Sequence, residues 1–485
     1  MSKLTTKLRT TPAGWSTIPG ERMSYYLYFC GQNVIYNLVA TYLTTYLMFS
    51  GVSTLKTGSV MIAVKVWDAV NDAIFGVIFD KVKFKSGKKY VPWLKISTVF
   101  IPITTVLMFA IPKGAGETLT LAWFAVAYIL WDTAYTLCDV PIFGIITAMS
   151  DNLDERSSLL SYKSIWSGVG SGISLILGTV LVNQQVGSSY FVVALVCAVV
   201  ALITMIPACS KLNERYVPQV DEDFTVRKML SYLVHNKYLL IYYFGYFFYS
   251  AANVSAALNL ITSYFLFHNE NFALIVQIIG LLPSAVFAFL VPSFIRKMDK
   301  MKLFRICTLV AVGSSVLLWV CGYNSIVLFT VLYTIRSVPL AIMGVMLFMF
   351  TPDCAEYGKY TTGIEAKGIT FAIQTFMVKL TAAISGALGM MILGLKSVGW
   401  NPLVKADGSA IESFKDIAEA GITQSDHALN ILWFVFVMIP AIGYALAYIV
   451  WRFYKLNDKD VQVMIDCNAG KISREEAEGR LSQKY

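Results

Sequence analysis

Charge is scarce in this sequence: Asp, Glu, Lys and Arg make up 14% of 485 residues, against 56% hydrophobic residues and a mean hydropathy of +0.62. A water-soluble globular surface cannot be built from so little charge. Histidine is scarcer still, with only three (His235, His268, His427). The eight cysteines are scattered through apolar runs (Cys30, Cys138, Cys197, Cys307 and Cys321 among them) and form no CxxC pair. A zinc site, a disulfide framework and a histidine-based catalytic triad therefore lack material, and the chain reads as no enzyme, with no cofactor. No small-residue cleavage site follows the basic N-terminal stretch of Lys3, Lys7, Arg9 and Arg22, so no signal peptide is expected. Period-two alternation is missing from runs such as "FVVALVCAVVALITMIPAC", which excludes a β-barrel.

What is there is a series of long apolar runs. A hydrocarbon core about 30 Å thick needs about 20 helical residues per crossing. The runs predict an all-α membrane protein with twelve transmembrane helices at 24–49, 58–80, 93–112, 119–149, 159–183, 189–208, 236–266, 272–295, 303–321, 326–350, 367–395 and 428–452. Basic residues collect in alternate loops, at Lys81, Lys83, Lys85, Lys88 and Lys89, at Lys211, Arg215, Arg227 and Lys228, and at Arg296, Lys297, Lys300, Lys302 and Arg305. Cytoplasmic loops carry that excess, so both termini are expected in the cytoplasm of a cell whose plasma membrane holds the protein. The net charge of +9 then reflects topology and calls for no nucleic-acid partner.

The polar stretch 209–235 divides the spans six and six. It predicts an N-terminal bundle (1–208), a central cytoplasmic loop, a C-terminal bundle (236–453) and a cytoplasmic tail (454–485). The exits of the second and eighth spans, "FDKVKFKSGKKY" and "FIRKMDKMKLFR", echo each other, as paired six-helix halves of a transporter do. The loop 396–426 is expected to carry a short surface helix, and the tail to be a small amphipathic appendage.

Several ionisable residues interrupt the oil. A charge at the centre of a spanning helix costs roughly 2.5–3.5 kcal/mol on insertion scales, so function is the first explanation to test. The second span carries Asp68 and Asp72 at i and i+4, with Asn71 beside them and Lys65 one turn before. Two carboxylates on one helical face repel unless a cation or a proton sits between them. The plainer alternative pairs Asp68 with a lysine and makes Asp72 a cap. The fourth span carries Asp132 and Asp139, with Tyr135 and Thr136 between them and Pro141 following. The first span supplies Gln32, Asn33 and Asn37, amides that suit hydroxyl-rich ligands, although helix–helix hydrogen bonding accounts for Asn37 equally well. Lys163, Arg336 and Lys379, the last near Gln374 and Thr375, complete the set. Lys65, Lys163, Arg336 and Lys379 balance the four aspartates, and pairwise neutralisation is the simplest account of Arg336.

The motifs "WDAVND" (Trp67–Asp72), "YTLCDVP" (Tyr135–Pro141), "DCAEYG" (Asp353–Gly358) and "QTFMVK" (Gln374–Lys379) resemble, in order and position, those of the glycoside–pentoside–hexuronide:cation symporters of the major facilitator superfamily. The resemblance covers nearly all the spans. It implies uptake of a sugar (glycoside, pentoside or hexuronide) with Na⁺ or H⁺ by alternating access, with a monomer as the working unit in the lipid bilayer. It further implies a cation site of Asp68, Asn71, Asp72, Thr136 and Lys379, in which Asp68, Asp72 and Thr136 would ligate the metal if the ion is Na⁺. The substrate site would comprise Asn33, Tyr135, Asp139, Lys163, Gln374 and Thr375. The sugar side departs from the family pattern. Asn33 stands where an aspartate is usual, Gln32 replaces a lysine, and the fifth-span arginine aligns near Ser164 with Lys163 adjacent. Rival readings are a carrier of amphiphilic or lipid-like solutes on the same fold, or a non-transporting sugar sensor, for which the tail is short.

Overall fold

The computed structural model describes residues 14–82, 84–112, 114–216, 236–363 and 367–485, so most of the central loop lies outside the described residues. A hydrocarbon environment offers the backbone no hydrogen-bond partner, so a spanning segment must satisfy its own amides. Among the described residues the secondary structure is accordingly helical, apart from a single bridge between Val404 and Ala410. The first half comprises α1 (Pro19–Phe49), α2 (Thr54–Lys81), α3 (Val91–Met108), α4 (Glu117–Met149), α5 (Leu153–Val180) and α6 (Tyr190–Lys211). The second comprises α7 (Lys237–Ala251), α8 (Ser255–Phe267), α9 (Phe272–Ile295), α10 (Lys300–Cys321), α11 (Ile326–Met346), α12 (Phe350–Thr362), α13 (Lys367–Leu393), α14 (Phe414–Glu419), α15 (Asp426–Trp451), α16 (Asp458–Asn468) and α17 (Arg474–Arg480).

Seven helical stretches among the described residues are long and apolar enough to cross a membrane. Their outward sides stay apolar. On α6, Phe191, Leu195, Val199, Ile203 and Ile206 form one exposed stripe, and Ile203 is 67% exposed. Val327 on α11 reaches 75%. A stripe of bulky aliphatic side chains on that scale belongs against lipid, not water.

The chain forms two compact units, residues 1–220 with 394–425, and residues 221–393 with 426–485. Each repeats one packing plan. In the first, α1 packs on α5 and α6, α3 on α4 and α6, and α2 on α4. In the second, α7 packs on α13 and α15, α10 on α11 and α15, and α9 on α11. Helix for helix these are the same five pairings, which gives the echo between the halves a three-dimensional meaning.

Close crossings set the first unit's geometry. A Cβ added to Gly170 of α5 would lie 2.1 Å from the Cys30 carbonyl oxygen of α1, and one added to Gly31 would lie 2.3 Å from the Thr204 hydroxyl of α6. Backbone thus approaches backbone, and Ser167 and Ser171, flanking Gly170, come within reach of α1. At one end of the unit, Glu214 accepts the backbone N–H groups of Lys89, Tyr90 and Val91 at 2.7, 2.9 and 2.8 Å, closing the start of α3. Buried Glu21 pairs with Arg215 at 2.7 Å.

One span differs from the sequence expectation, and the outer loop and the tail keep their expected short helices while packing against the bundle. The seventh span is broken into α7 and α8, where Asn253 N–H turns back to the Ser250 carbonyl. The break is tertiary in origin: Ser255 Oγ donates to the Phe436 carbonyl of α15 at 2.7 Å, and Gly443 of α15 meets Ala252 and Phe248 at close range. The loop 396–426 does carry a short helix, α14, and the segment 394–425 packs into the first unit. Ile411 N–H donates to the Phe49 carbonyl, Phe414 N–H to the Val182 carbonyl, and the Phe49 and Phe414 rings meet at 5.1 Å. The tail is folded down on α12: Asn468 donates to Glu356 at 2.9 Å, and Lys300 joins Asp353 (2.5 Å) to Asp458 (3.2 Å). Its anchor is buried Asp460, whose carboxylate accepts from Asn457, Ser482 and Tyr485.

Two predictions test this packing. Gly170→Ala should cost about 1–3 kcal/mol in thermal unfolding, as overpacked cores do, whereas Gly172→Ala, with open space at its Cβ, should be neutral or slightly stabilising. Equal effects would mean that the α1–α5 crossing is looser than described. For the tail, burial by itself raises the Asp460 pKa, but the hydrogen bonds it accepts outweigh burial and hold it below the ordinary 3.8. A carboxylate depressed in the folded state stabilises above its unfolded pKa, and that contribution is lost as pH falls through the folded value. Amide exchange across 458–485 should therefore stay slow from pH 7 to 5 and rise below pH 3.8, and Asp460→Asn should raise it already at pH 7.

Candidate functional site

Three helices of the first unit bring polar side chains together inside an apolar bundle. From α1, Gln32 is buried and its Nε2 donates to Asp139 Oδ1 of α4 at 2.8 Å. Gln32 also lies within hydrogen-bonding reach of the Tyr135 hydroxyl. The Tyr135 ring stacks on Trp131 at 5.2 Å and meets Tyr36 of α1 at 5.6 Å, so its phenol is held by two aromatic faces. From α5, the Lys163 ammonium sits 4.3 Å from the centre of the Phe143 ring and 4.7 Å from that of Phe29, with Asp139 in electrostatic range. Pro141 lies inside α4 and cannot donate to the Leu137 carbonyl, which leaves that oxygen open beside Asp139.

The amides of α1 divide their work. Asn33 Nδ2 donates to the Phe29 carbonyl at 2.8 Å and to Ser167 Oγ at 3.1 Å. Asn37 Nδ2 donates to the Asn33 carbonyl and, at 2.7 Å, to Ser171 Oγ. Both amide nitrogens are thus committed to the α1–α5 seam that Gly170 allows. Gln32, not Asn33, reaches the α4 carboxylate. Its sequence signal was the replacement of a charged neighbour by an amide one position away.

A second cluster lies between α2 and α4. Asn71 is fully buried, and its Nδ2 donates to Asp132 Oδ2 at 3.1 Å and to Thr136 Oγ1 at 2.8 Å. Thr133 Oγ1 donates to the Ile129 carbonyl at 2.8 Å. The Lys65 ammonium lies 5.1 Å from the centre of the Tyr128 ring. Asp132 and Asp139 share a helical face but face different partners, because seven residues separate them by about 10 Å along the axis. Asp132, 6% exposed, is the residue that sequence reasoning did not assign to the cation side. The side chains of Asp68 and Asp72 lie outside the described residues.

The remaining expected residues stand on α13 of the second unit. Lys379 is half-buried, Thr375 is exposed, and Gln374 Oε1 is buried with no hydrogen-bond partner among the described residues.

An amide donating to a carboxylate next to a stacked phenol, with an ammonium nearby, offers both donors and acceptors to hydroxyl groups. An oxygen-rich seam one turn away suits a proton or a hard monovalent cation. The two clusters share α4, which carries Thr136 in one and Asp139 in the other.

Comparison with known proteins bears on this arrangement. A family model described as "MFS/sugar transport protein" matches residues 24–458. The isoprimeverose transporter of Lactiplantibacillus pentosus is 24% identical over 460 residues, 92% of this chain and 90% of that protein. The glucuronide carrier protein homolog of Escherichia coli (strain K12) is 24% identical over 471 residues, covering 95% and 97%. Among solved structures, the nucleoside transporter NupG superposes with a TM-score of 0.60 at 14% identity, over 90% of this chain and 99% of that one, which shows a shared fold alone. With the family match spanning most of its length, this all-helical, multi-pass chain belongs to the sugar transporters of the major facilitator superfamily, the group that includes the glycoside–pentoside–hexuronide:cation symporters.

Proposed function

We propose that the protein carries a sugar across the plasma membrane together with Na⁺ or H⁺, as a monomer of twelve spans with both termini in the cytoplasm. The observation that carries this reading is the Gln32–Asp139 hydrogen bond beside Tyr135 and Lys163, within one turn of the Asn71–Thr136 contact. In this reading the sugar hydroxyls engage Asp139, Tyr135 and Gln32 from α4 and α1. The cation binds at Asp68 and Asp72, aided by Thr136, with Asn71 and Asp132 shaping the seam.

The coupling follows from α4. A cation relieves repulsion between Asp68 and Asp72 and engages Thr136, which fixes the helix turn that presents Asp139. By linkage, the sugar must then tighten cation binding by the same factor. Chemistry on the solute is no part of this function, and the protein acts as a carrier.

The test is sugar-driven Na⁺ or proton entry into proteoliposomes. Asp72→Asn should abolish cation stimulation while retaining exchange of sugar down its gradient. Asp139→Ala should weaken sugar binding by roughly thirty- to hundredfold, the scale of a lost hydrogen bond to a charged group, and leave cation binding in place. Cation-stimulated transport that persists in Asp72→Asn removes that residue from the cation site. If no sugar drives ion entry through the folded wild type, the carrier acts on another solute class, such as an amphiphile.

A further inference from the structure

Arg336 stands on α11, three residues before Pro339, and is 2% exposed. Pairwise neutralisation was expected for it, yet among the described residues no carboxylate meets it. Its Nε and Nη1 atoms are buried without a hydrogen-bond partner. Lys300 of the same unit, by contrast, is tied to Asp353 and Asp458. What surrounds Arg336 is aromatic. Its guanidinium carbon lies 5.5 Å from the centre of the Tyr333 ring, and Tyr249 of α7 is within its electrostatic range. Tyr444 of α15 joins the group, with its ring 5.3 Å from that of Tyr249.

The Arg336 guanidinium carries buried donors that no acceptor meets among the described residues. Arginine stays protonated at any physiological pH, so it cannot relieve its burial by losing a proton. A cation–π contact contributes about 0.5–2 kcal/mol, while desolvating an ion costs several. Tyrosine phenols add hydrogen-bond donors around the same centre. A set of buried donors with unspent capacity is complementary to a group with many lone pairs and a negative charge, and the planar guanidinium fits a carboxylate or phosphate in particular.

We infer that Arg336, within its ring of Tyr249, Tyr333 and Tyr444, seats an anionic group of the transported solute, which makes the carried sugar an acidic one. The inference rests on the reading of the protein as a sugar carrier and narrows it to carboxylate- or phosphate-bearing sugars. The unpartnered charge then has a purpose: the empty carrier holds a destabilising cation that its own substrate neutralises.

The experiment is equilibrium binding and thermal unfolding of the purified full chain with three probes: methyl β-glucuronide, methyl β-glucoside and glucose 6-phosphate. The wild type should bind an acidic probe at least roughly tenfold tighter than the glucoside, the scale of one charge-assisted hydrogen bond. Arg336→Gln should erase that difference by weakening the acidic probe alone, and Arg336→Lys should keep part of it. Without ligand, Arg336→Gln should unfold at or above the wild-type temperature, since it removes an unpaired buried charge. A preference for the glucuronide assigns a sugar carboxylate, and a preference for the phosphate assigns a sugar phosphate. A wild type that favours the glucoside, or an Arg336→Gln protein with an unchanged preference, overturns the inference and leaves sugar transport standing. A marked drop in the unfolding temperature of unliganded Arg336→Gln also overturns it, because the guanidinium would then be a structural element. Failure of the folded wild type to bind any sugar, charged or neutral, overturns the carrier reading itself.

Discussion

Inside a bilayer each polar group must find its partner in the protein, and this single constraint organises the molecule. It forces the backbone into helices, leaves the outward faces to side chains such as Ile203 and Val327, and turns the amides of α1 inward. Gln32, Asn33 and Asn37 are each bonded to an acceptor on α4, on α5 or on α1 itself. The bonds from Asn33 and Asn37 to Ser167 and Ser171 need the close approach at Gly170, because a Cβ there would push α5 away from Cys30. Stability and site assembly are therefore one problem: the glycine that lets α1 and α5 pack also sets the distance from which the polar residues work.

The same constraint explains why α4 is the pivotal helix of the first unit. It makes polar contacts on two sides, to α1 through Asp139 and to α2 through Asp132 and Thr136. Trp131 and Tyr135 stack between these levels and stiffen the segment that joins them. A change in the α2 seam is transmitted along one helical turn of covalent backbone, with no long relay of side chains. Pro141 then interrupts the backbone ladder just past Asp139, where an open carbonyl is tolerable only because a polar environment surrounds it.

Much of this was legible in the sequence, because helix length and apolar content are local properties. The helical class and most helix positions follow from runs and spacings. What was hidden depends on register between helices. Spacing alone cannot say that Gln32 reaches Asp139 while Asn33 turns to Ser167, since a rotation of about 100° separates the two residues and packing sets the reference angle. The break at Asn253 carries no glycine or proline to announce it and is imposed by α15. The placement of residues 394–425 is decided by Phe414 and the folding of the tail on α12 by Asn468 and Asp458, whose partners Phe49, Glu356 and Lys300 lie far away in sequence.

Charge accounting over the whole chain, which balances four basic against four acidic residues, conceals how differently the structure treats them. Lys163 rests on two aromatic rings within range of Asp139, and Lys65 lies against Tyr128, so in the first unit both lysines sit against ring faces and one of them is close to a carboxylate. In the second unit Arg336 has rings but no acid among the described residues. A protein that needed Arg336 only for packing would do as well with an apolar side chain of similar volume, because replacing buried charge by hydrophobic residues is often neutral or stabilising. A buried arginine that meets aromatic rings and no carboxylate among the described residues therefore marks a position where stability has been given up for recognition, and the partner is the one that a ligand must bring.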